Sequence, residues 1–190
     1  MSMTKQDIIS LLTADFYEGF AEQCGTIIIE QQGIDALFEL LTDTVVISNV
    51  AGMKKDALSR IGFRAAYVFD FIYFSNNKAF DKYYQSFFSI FPMVTNESTK
   101  RHFARVMADI LAKDNYLAEL TDYESVASAC VDWIINDKVR VAVQVWAVEC
   151  LIRLKGRVGW VPDLLDDILD RLSINPSPGM ITRLKVWRAI

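Results

Sequence analysis

Residues 133–151 read WIINDKVRVAVQVWAVECL. This stretch predicts that one helix ends at Ile135, that Asn136 and Asp137 form a tight turn, and that a second helix begins at Val139. The second helix is apolar on nearly all sides, so neighbouring segments must cover most of its faces. The stretch therefore predicts the centre of a layered helical protein.

Composition favours one globular domain over residues 1–190. Hydrophobic residues make up 52% of the 190 residues and charged residues 23%, which excludes disorder for the body of the chain. Prolines and glycines are few, and no Ser/Gly-rich linker marks a boundary. The net charge of −4 and the pI of about 5.0 argue against a sequence-independent nucleic-acid binder.

Three further features predict a cytoplasmic location. No window holds the roughly eighteen uncharged apolar residues of a membrane span, so no membrane partner is expected. The polar start of the sequence lacks the charged-then-apolar order of a signal peptide. Cys24, Cys130 and Cys150 are widely spaced with no C-x-x-C pair, which predicts buried, reduced thiols.

Helical spacing recurs along the chain, and no segment alternates like a strand. A first helix is predicted over residues 4–24, with Thr4 as its N-cap and Gly25 ending it. Residues 26–29 are interpreted as a turn or connector. Later helices are predicted over residues 34–41, 54–74, 79–91, 99–111, 123–135, 139–154 and 162–172, and from 180 onward. Residues 42–49 could continue the helix over 34–41 or form a loop. The predicted fold class is all-α.

Four segments, each at the beginning of a predicted helix, align with one another at intervals of about 40 residues. Their aligned positions are Ala65, Phe103, Val143 and Leu184, and three residues later Val68, Val106, Trp146 and Trp187. Each segment follows another amphipathic helix. This is the period of solenoids built from two-helix repeats.

Residues 129–151 resemble one HEAT repeat: an apolar helix, Asn136-Asp137 at the turn, then Val139-Arg140 opening a second helix. The resemblance covers residues 33–190. It implies a right-handed α-α superhelix of the HEAT/armadillo type, with about four helix pairs and residues 4–24 as an N-terminal capping helix. The implied repeats are roughly 33–74, 78–112, 123–154 and 160–190.

The sequence contains no recognisable reaction centre. His102 is the single histidine, and its position in a Lys-Arg-His-Phe run at a helix start predicts an exposed or capping role. No phosphate-binding loop, nucleophile motif or zinc-ligand spacing occurs. We therefore expect no catalytic residues, no cofactor and no metal.

Basic residues concentrate on the second, or B, helix of each predicted pair. These helices carry thirteen lysines and arginines and four acidic residues. Because B helices line the concave face of HEAT-like solenoids, the resemblance implies a basic groove on an acidic body. The predicted binding residues are Arg60, Arg64, Lys100, Arg101, Arg105, Arg140, Trp146, Arg183 and Trp187. Two explanations stay open: a groove for an anionic partner, or a ladder of structural ion pairs such as Arg140 with Asp132 or Asp137.

The function expected from this pattern is a non-enzymatic helical-repeat scaffold that binds a macromolecule, a protein or peptide, on its concave face. The chain would be a monomer or a weak homodimer. The alternative is a nucleic-acid partner, because the repeat style is similar to HEAT-like alkylpurine DNA glycosylases; Asp109 or Asp70 with Trp146 would then be the candidate site. A resemblance to adenylosuccinate lyase is rejected, since that superfamily's signature loop and catalytic histidines are missing.

Overall fold

The computed structural model describes residues 2–46, 54–113 and 122–189. These described residues are 78% helical and contain no strand, which confirms the all-α prediction. The ten α-helices in the described residues are α1 (Lys5–Thr13), α2 (Phe20–Glu30), α3 (Ile34–Val46), α4 (Lys55–Ser75), α5 (Tyr84–Ile90), α6 (Glu97–Ala112), α7 (Tyr123–Ile135), α8 (Val141–Leu154), α9 (Val161–Leu172) and α10 (Pro178–Trp187).

The chain divides into two compact units, Met1–Phe103 and Ala104–Ile190. In the first unit, α4 packs against α1, α2 and α3. Leu58, Ile61, Ala65, Val68 and Ile72 lie on its buried side, as the helical spacing predicts. The hydrophobic effect therefore holds this unit together around its longest helix.

The predicted capping helix over residues 4–24 is wrong, because two helices occupy this region. The helix α1 ends at Thr13, and α2 begins after Gly19, which adopts a φ of 81°. Such a left-handed backbone suits glycine and cannot continue a helix. The α1 N-cap at Thr4 is confirmed, with the Thr4 side chain accepting from the Asp7 amide.

Gly25 lies inside α2 instead of ending it, and the predicted connector at residues 26–29 is helical. A Cβ at Gly25 would stand 2.5 Å from the ring of Phe71 on α4. The glycine therefore serves close helix packing. The chain turns after α2 at Gln32, with a φ of 52°, and α3 follows. Of residues 42–49, for which the sequence leaves a helical continuation and a loop both open, those up to Val46 are helical and the rest lie outside the described residues.

The predicted helix over residues 79–91 is divided. A 3₁₀ helix, Asn77–Tyr83, leads into α5, and a second 3₁₀ turn, Phe91–Met93, contains Pro92. The aromatic rings of Phe80, Phe87 and Phe91 are nevertheless buried. In this region the apolar side chains are buried by 3₁₀ turns, which are tighter than the α-helical turns that the residue spacing predicts.

The second unit contains residues 133–151, the stretch that predicts two helices joined by a tight turn. The helices α7 and α8 pack against each other, and the turn between them is held by Asn136, whose Oδ1 accepts from the Lys138 amide at 3.0 Å. Both α9 and α10 pack on α8. The predicted bounds of α7 are confirmed, and Pro162 occupies the first turn of α9.

Two general predictions can also be compared with the structure. Cys24, Cys130 and Cys150 are buried free thiols, as expected. Within residues 2–46, 54–113 and 122–189, no helix has both the length and the apolar character needed to cross a bilayer.

Candidate functional site

The outward face of α4 carries an arginine and two aromatic rings on successive turns. Arg60, Phe63 and Tyr67 have the i, i+3, i+7 spacing that aligns side chains along one helix face. The planes of Phe63 and Tyr67 lie within 2° of parallel, with ring centroids 6.2 Å apart. Both rings are half-buried and Arg60 is exposed.

The N-terminal part of α6 lies beside this face. Asn96 caps α6 by accepting from the amides of Ser98 and Thr99, both at 3.0 Å. Its Nδ2 donates to Oγ of Ser59 on α4 at 2.7 Å. One side chain thus both starts α6 and fixes that start against α4. Arg101, in the first half of α6, is exposed to solvent.

His102 is buried, contrary to the prediction of an exposed or capping role. It is 7% exposed and Asp70 is 3% exposed, and its Nδ1 lies 3.1 Å from Oδ2 of Asp70. Its ring centroid is 5.1 Å from that of Tyr67 and 6.0 Å from that of Phe63. The helical turn aims residue 102 at α4 while Arg101 faces solvent. The His102–Asp70 pair therefore supports the rings of Phe63 and Tyr67, which pack against His102.

Phe16 covers the other side of the ring pair. The segment between α1 and α2 lays Phe16 at centroid distances of 6.1 Å from Phe63 and 6.2 Å from Tyr67, yet leaves it 50% exposed. We call Phe16, Phe63, Tyr67, Arg60 and Arg101 the ring surface.

Arg64 faces the same side but is held by internal contacts. Its Nη1 donates to the carbonyl oxygens of Leu12 at 2.6 Å and Ala14 at 2.7 Å. These are carbonyls that the end of α1 leaves without a helical partner. The guanidinium also lies over the ring of Phe16, 5.4 Å from its centroid. Arg64 therefore supports the fold of the N-terminal segment.

Cys24 lies close to Arg64 in this region. Burial raises the pKa of the Cys24 thiol above its ordinary value, although the positive charge of Arg64 acts in the opposite sense. A protonated, buried thiol is a weak nucleophile. Cys24 therefore contributes packing and no nucleophilic centre.

The predicted basic residues separate into internally bonded and solvent-facing groups. Nζ of Lys100 is 2.7 Å from Oε1 of Glu97, and the residue is 8% exposed. Arg105 is half-buried on α6. In contrast, the guanidinium groups of Arg60 and Arg101 have no hydrogen bond or ion pair with any described residue. Arg60 and Arg101 therefore keep positive charges available to solvent on α4 and α6.

Two predicted residues contact one carboxylate in the second unit, and a third packs against one of them. Arg183 Nη1 lies 3.2 Å from Glu149 Oε1, and Trp187 Nε1 donates to the same oxygen at 2.8 Å. The Arg183 guanidinium lies over Trp146, 5.7 Å from the ring centroid. Trp187 is only 4% exposed. This group is thus an internal link between α8 and α10.

Arg140 stands alone at the N-cap of α8, exposed and without an ion pair to the described residues. Asp137, one of its expected partners, instead contacts Arg171 at 3.2 Å. Arg171 also donates to the carbonyl of Ile135 at the end of α7. The structural ladder therefore involves different arginines from the predicted one.

Sequence reasoning missed Phe16, Phe63 and Tyr67 as site residues. The spacing of Arg60, Phe63 and Tyr67 could have indicated a shared face, because it is visible in the sequence. The position of Phe16 carries no such signal, since it depends on a break between α1 and α2.

Comparisons of the chain with known protein families, with curated proteins and with solved structures give no match. In the part of the chain that the structure describes, no group of three or more His, Cys, Asp and Glu side chains could hold a metal ion. The ring surface combines partly exposed aromatic rings with two arginines that have no partner among the described residues.

Proposed function

We propose that this chain is a non-enzymatic helical-repeat protein of the HEAT type that binds an acidic segment of a partner protein on the ring surface. The single observation that carries the proposal is the contrast among its arginines. Arg64 is committed to main-chain carbonyls, whereas the exposed Arg60 and Arg101 have no partner among the described residues. Arg60 shares a helix face with Phe63 and Tyr67 by its spacing, and Arg101 precedes His102, which contacts both rings.

The HEAT-type superhelix of four helix pairs over residues 1–190 is part of the same proposal. Support within the second unit comes from α7 and α8, which pack against each other, and from α8 and α10, which touch through Glu149 and Trp187. Within the first unit, α4 and α6 touch through Asp70 and His102. Contacts between successive B helices are the contacts that a solenoid needs.

The composition of the ring surface favours a protein partner. Tyr, Phe and Arg are enriched at protein interfaces, because rigid rings bury much area and guanidinium groups pair with carboxylates in two-pronged geometry. A chain with a net charge of −4 would repel the dense phosphates of a nucleic acid. Two local arginines can still attract a short acidic segment, since charges beyond about 8–10 Å are screened at physiological salt.

The carboxylates suggested for a glycosylase-like site have partners. Asp70 is buried against His102, and Asp109 is paired with Lys113 one turn along α6. A DNA-binding function remains the alternative, and the same experiment distinguishes it.

The test is fluorescence anisotropy with three labelled probes: a twelve-residue peptide repeating Glu-Glu-Phe-Leu, the same peptide with Gln for Glu, and a twelve-base-pair DNA duplex. We expect the wild-type protein to bind the acidic peptide. The double variant Arg60→Ala with Arg101→Ala should bind it with an affinity at least tenfold lower, which corresponds to about 1.4 kcal/mol. The matched control is Lys138→Ala with Arg153→Ala, which removes the same charge from two exposed residues without partners among the described residues.

Equal binding of the Gln peptide, or equal weakening by both double variants, would overturn the proposal. Binding of the duplex alone, with an affinity that falls steeply with salt, would establish the DNA alternative.

A further inference from the structure

A small polar pocket in the first unit lies between the end of α3, the first turns of α4 and the start of α6. The described residues that line it include Thr44, Ser59, Asn96 and Thr99. Its volume is about 30 Å³. One water molecule needs roughly 10–15 Å³ of such space, whereas sites for organic ligands have volumes of about 300–1,000 Å³. The pocket therefore fits an occupant as small as one or two water molecules.

The hydroxyl group of Thr99 is buried at this pocket without a hydrogen bond from the protein. Thr99 is 2% exposed, and its Oγ1 has no hydrogen-bond partner among the described residues. A buried hydroxyl group without a partner destabilises the folded state, so such groups are rare in proteins. An occupant of the pocket that can donate or accept a hydrogen bond would satisfy this oxygen.

Two further hydroxyl groups in the pocket have unused hydrogen-bonding capacity. Oγ of Ser59 accepts from Nδ2 of Asn96 at 2.7 Å, so its own hydrogen is available to donate. Oγ1 of Thr44 donates to the carbonyl oxygen of Leu41 at 2.8 Å, so its lone pairs are available to accept. With Thr99, the pocket offers both donors and acceptors, in the number of about three partners that an internal water molecule typically has.

The charge of the pocket argues against an ion as its occupant. No charged side chain is among the described residues that line it. A cation placed there would lose hydration without gaining a carboxylate, and a buried charge without a counter-charge is strongly unfavourable. Size and polarity therefore both favour a neutral water molecule.

We propose that this pocket is a specific hydration site, in which one ordered water molecule accepts from the hydroxyl groups of Thr99 and Ser59 and donates to Oγ1 of Thr44. The water links the start of α6 to α3 and α4, in addition to the direct hydrogen bond between Asn96 and Ser59. This site is separate from the ring surface and does not depend on it.

Thr99→Val tests the site by the sign of its effect, because valine has nearly the shape of threonine without the hydroxyl group. If Thr99 bonds to a water molecule, the variant removes that hydrogen bond, and the melting temperature should fall by about 2–4 °C. If Oγ1 has no partner, the same change removes an unsatisfied polar atom, and the melting temperature should rise.

The matched control is Thr182→Val at an exposed position of α10. Threonine and valine have similar helix propensities, so this variant should change the melting temperature by less than about 1 °C. A higher melting temperature of Thr99→Val, or equal small changes in the two variants, would overturn the proposal.

A high-resolution crystal structure of the wild type gives the direct test. We expect one water oxygen within about 3 Å of both Oγ1 of Thr99 and Oγ of Ser59. Gly62→Ala should expel this water, because Gly62 and Thr44 both line the pocket and an added Cβ would stand 3.2 Å from Oγ1 of Thr44. Gly179→Ala, whose Cβ would meet no heavy atom within 4 Å, should retain it. A dry pocket in the wild type, or an anomalous signal in it after the crystals are soaked in a rubidium salt, would overturn the proposal.

Discussion

The indole Nε1 of Trp187 donates a hydrogen bond of 2.8 Å to Oε1 of Glu149, a residue 38 positions earlier in the chain. Arg183 approaches the same oxygen, so one carboxylate of α8 joins two side chains of α10. Because the Trp187 side chain is buried, its N–H group depends on this acceptor. The contact links α8 and α10 energetically.

Glu149→Ala should lower the free energy of unfolding by about 1–3 kcal/mol, because it leaves the buried Trp187 N–H without its acceptor. Urea denaturation followed by circular dichroism measures this change. Asp132→Ala is the control, since that aspartate is exposed without an ion pair to the described residues and should change stability by less than about 0.5 kcal/mol. Similar values for the two variants would contradict a structural role for Glu149.

Arg64→Ala should destabilise the protein by about 1–3 kcal/mol, because two carbonyl groups at the end of α1 lose their donor. Arg64→Lys should recover only part of the loss, since a lysine cannot reproduce the planar guanidinium over Phe16 and Phe20. Thermal and urea unfolding provide the measurement.

Arg60→Ala is the matched comparison for Arg64→Ala, one turn earlier on the same helix. Arg60 is exposed and has no partner among the described residues, so its removal should leave stability within about 0.5 kcal/mol. The two variants should separate the two roles: Arg64 in stability and Arg60 in binding. Loss of stability in Arg60→Ala would show that this arginine is structural after all.

The parts of the fold that sequence reasoning predicted well depend on short-range signals. Asn136 at the turn and Pro162 in the first turn of α9 act within a few residues, so the bounds of α7 and α9 could be read directly. The apolar period of α4 likewise indicates its buried face.

The parts that sequence reasoning missed depend on distant partners. The end of α1 is stabilised by Arg64, 52 residues beyond Leu12, and His102 is buried by Asp70, 32 residues away. In the candidate site, the basic residues were visible in the sequence, but their division into bonded and free arginines was not. That division follows from which carbonyl or carboxylate each guanidinium meets in the folded chain.

Gly25→Ala should destabilise the protein although alanine favours helices. The added Cβ would stand 2.5 Å from Cδ1 of Phe71, so the ring must move and the packing of α2 on α4 must change. Overpacking of this kind costs about 1–3 kcal/mol, which exceeds the roughly 1 kcal/mol gained from helix propensity. Urea denaturation gives the net effect.

The control for Gly25 is Gly179 in the first turn of α10, where a Cβ would meet no heavy atom within 4 Å. Gly179→Ala should therefore stabilise the protein by up to about 1 kcal/mol. Stabilisation by both alanines would show that Phe71 moves aside without cost and that Gly25 is dispensable.

The environment of Tyr83 leads us to expect that its phenol titrates at unusually high pH. Burial, and then its hydrogen bond to Asp35, raise the pKa of Tyr83 from 10.0 to about 12, and its ring stacks on Phe38 with centroids 4.5 Å apart. A raised phenol pKa means that the folded state favours the protonated form. The corresponding stability is complete below pH 10 and is lost as the pH rises through about 12. The measurement is the tyrosinate absorbance at 295 nm of the wild type minus that of Tyr83→Phe, and this difference should titrate with a pKa near 12. Asp35→Asn should lower this pKa, because it removes the carboxylate and leaves the burial of the ring unchanged. A difference titration at the ordinary value of 10.0 would contradict the contact between Tyr83 and Asp35.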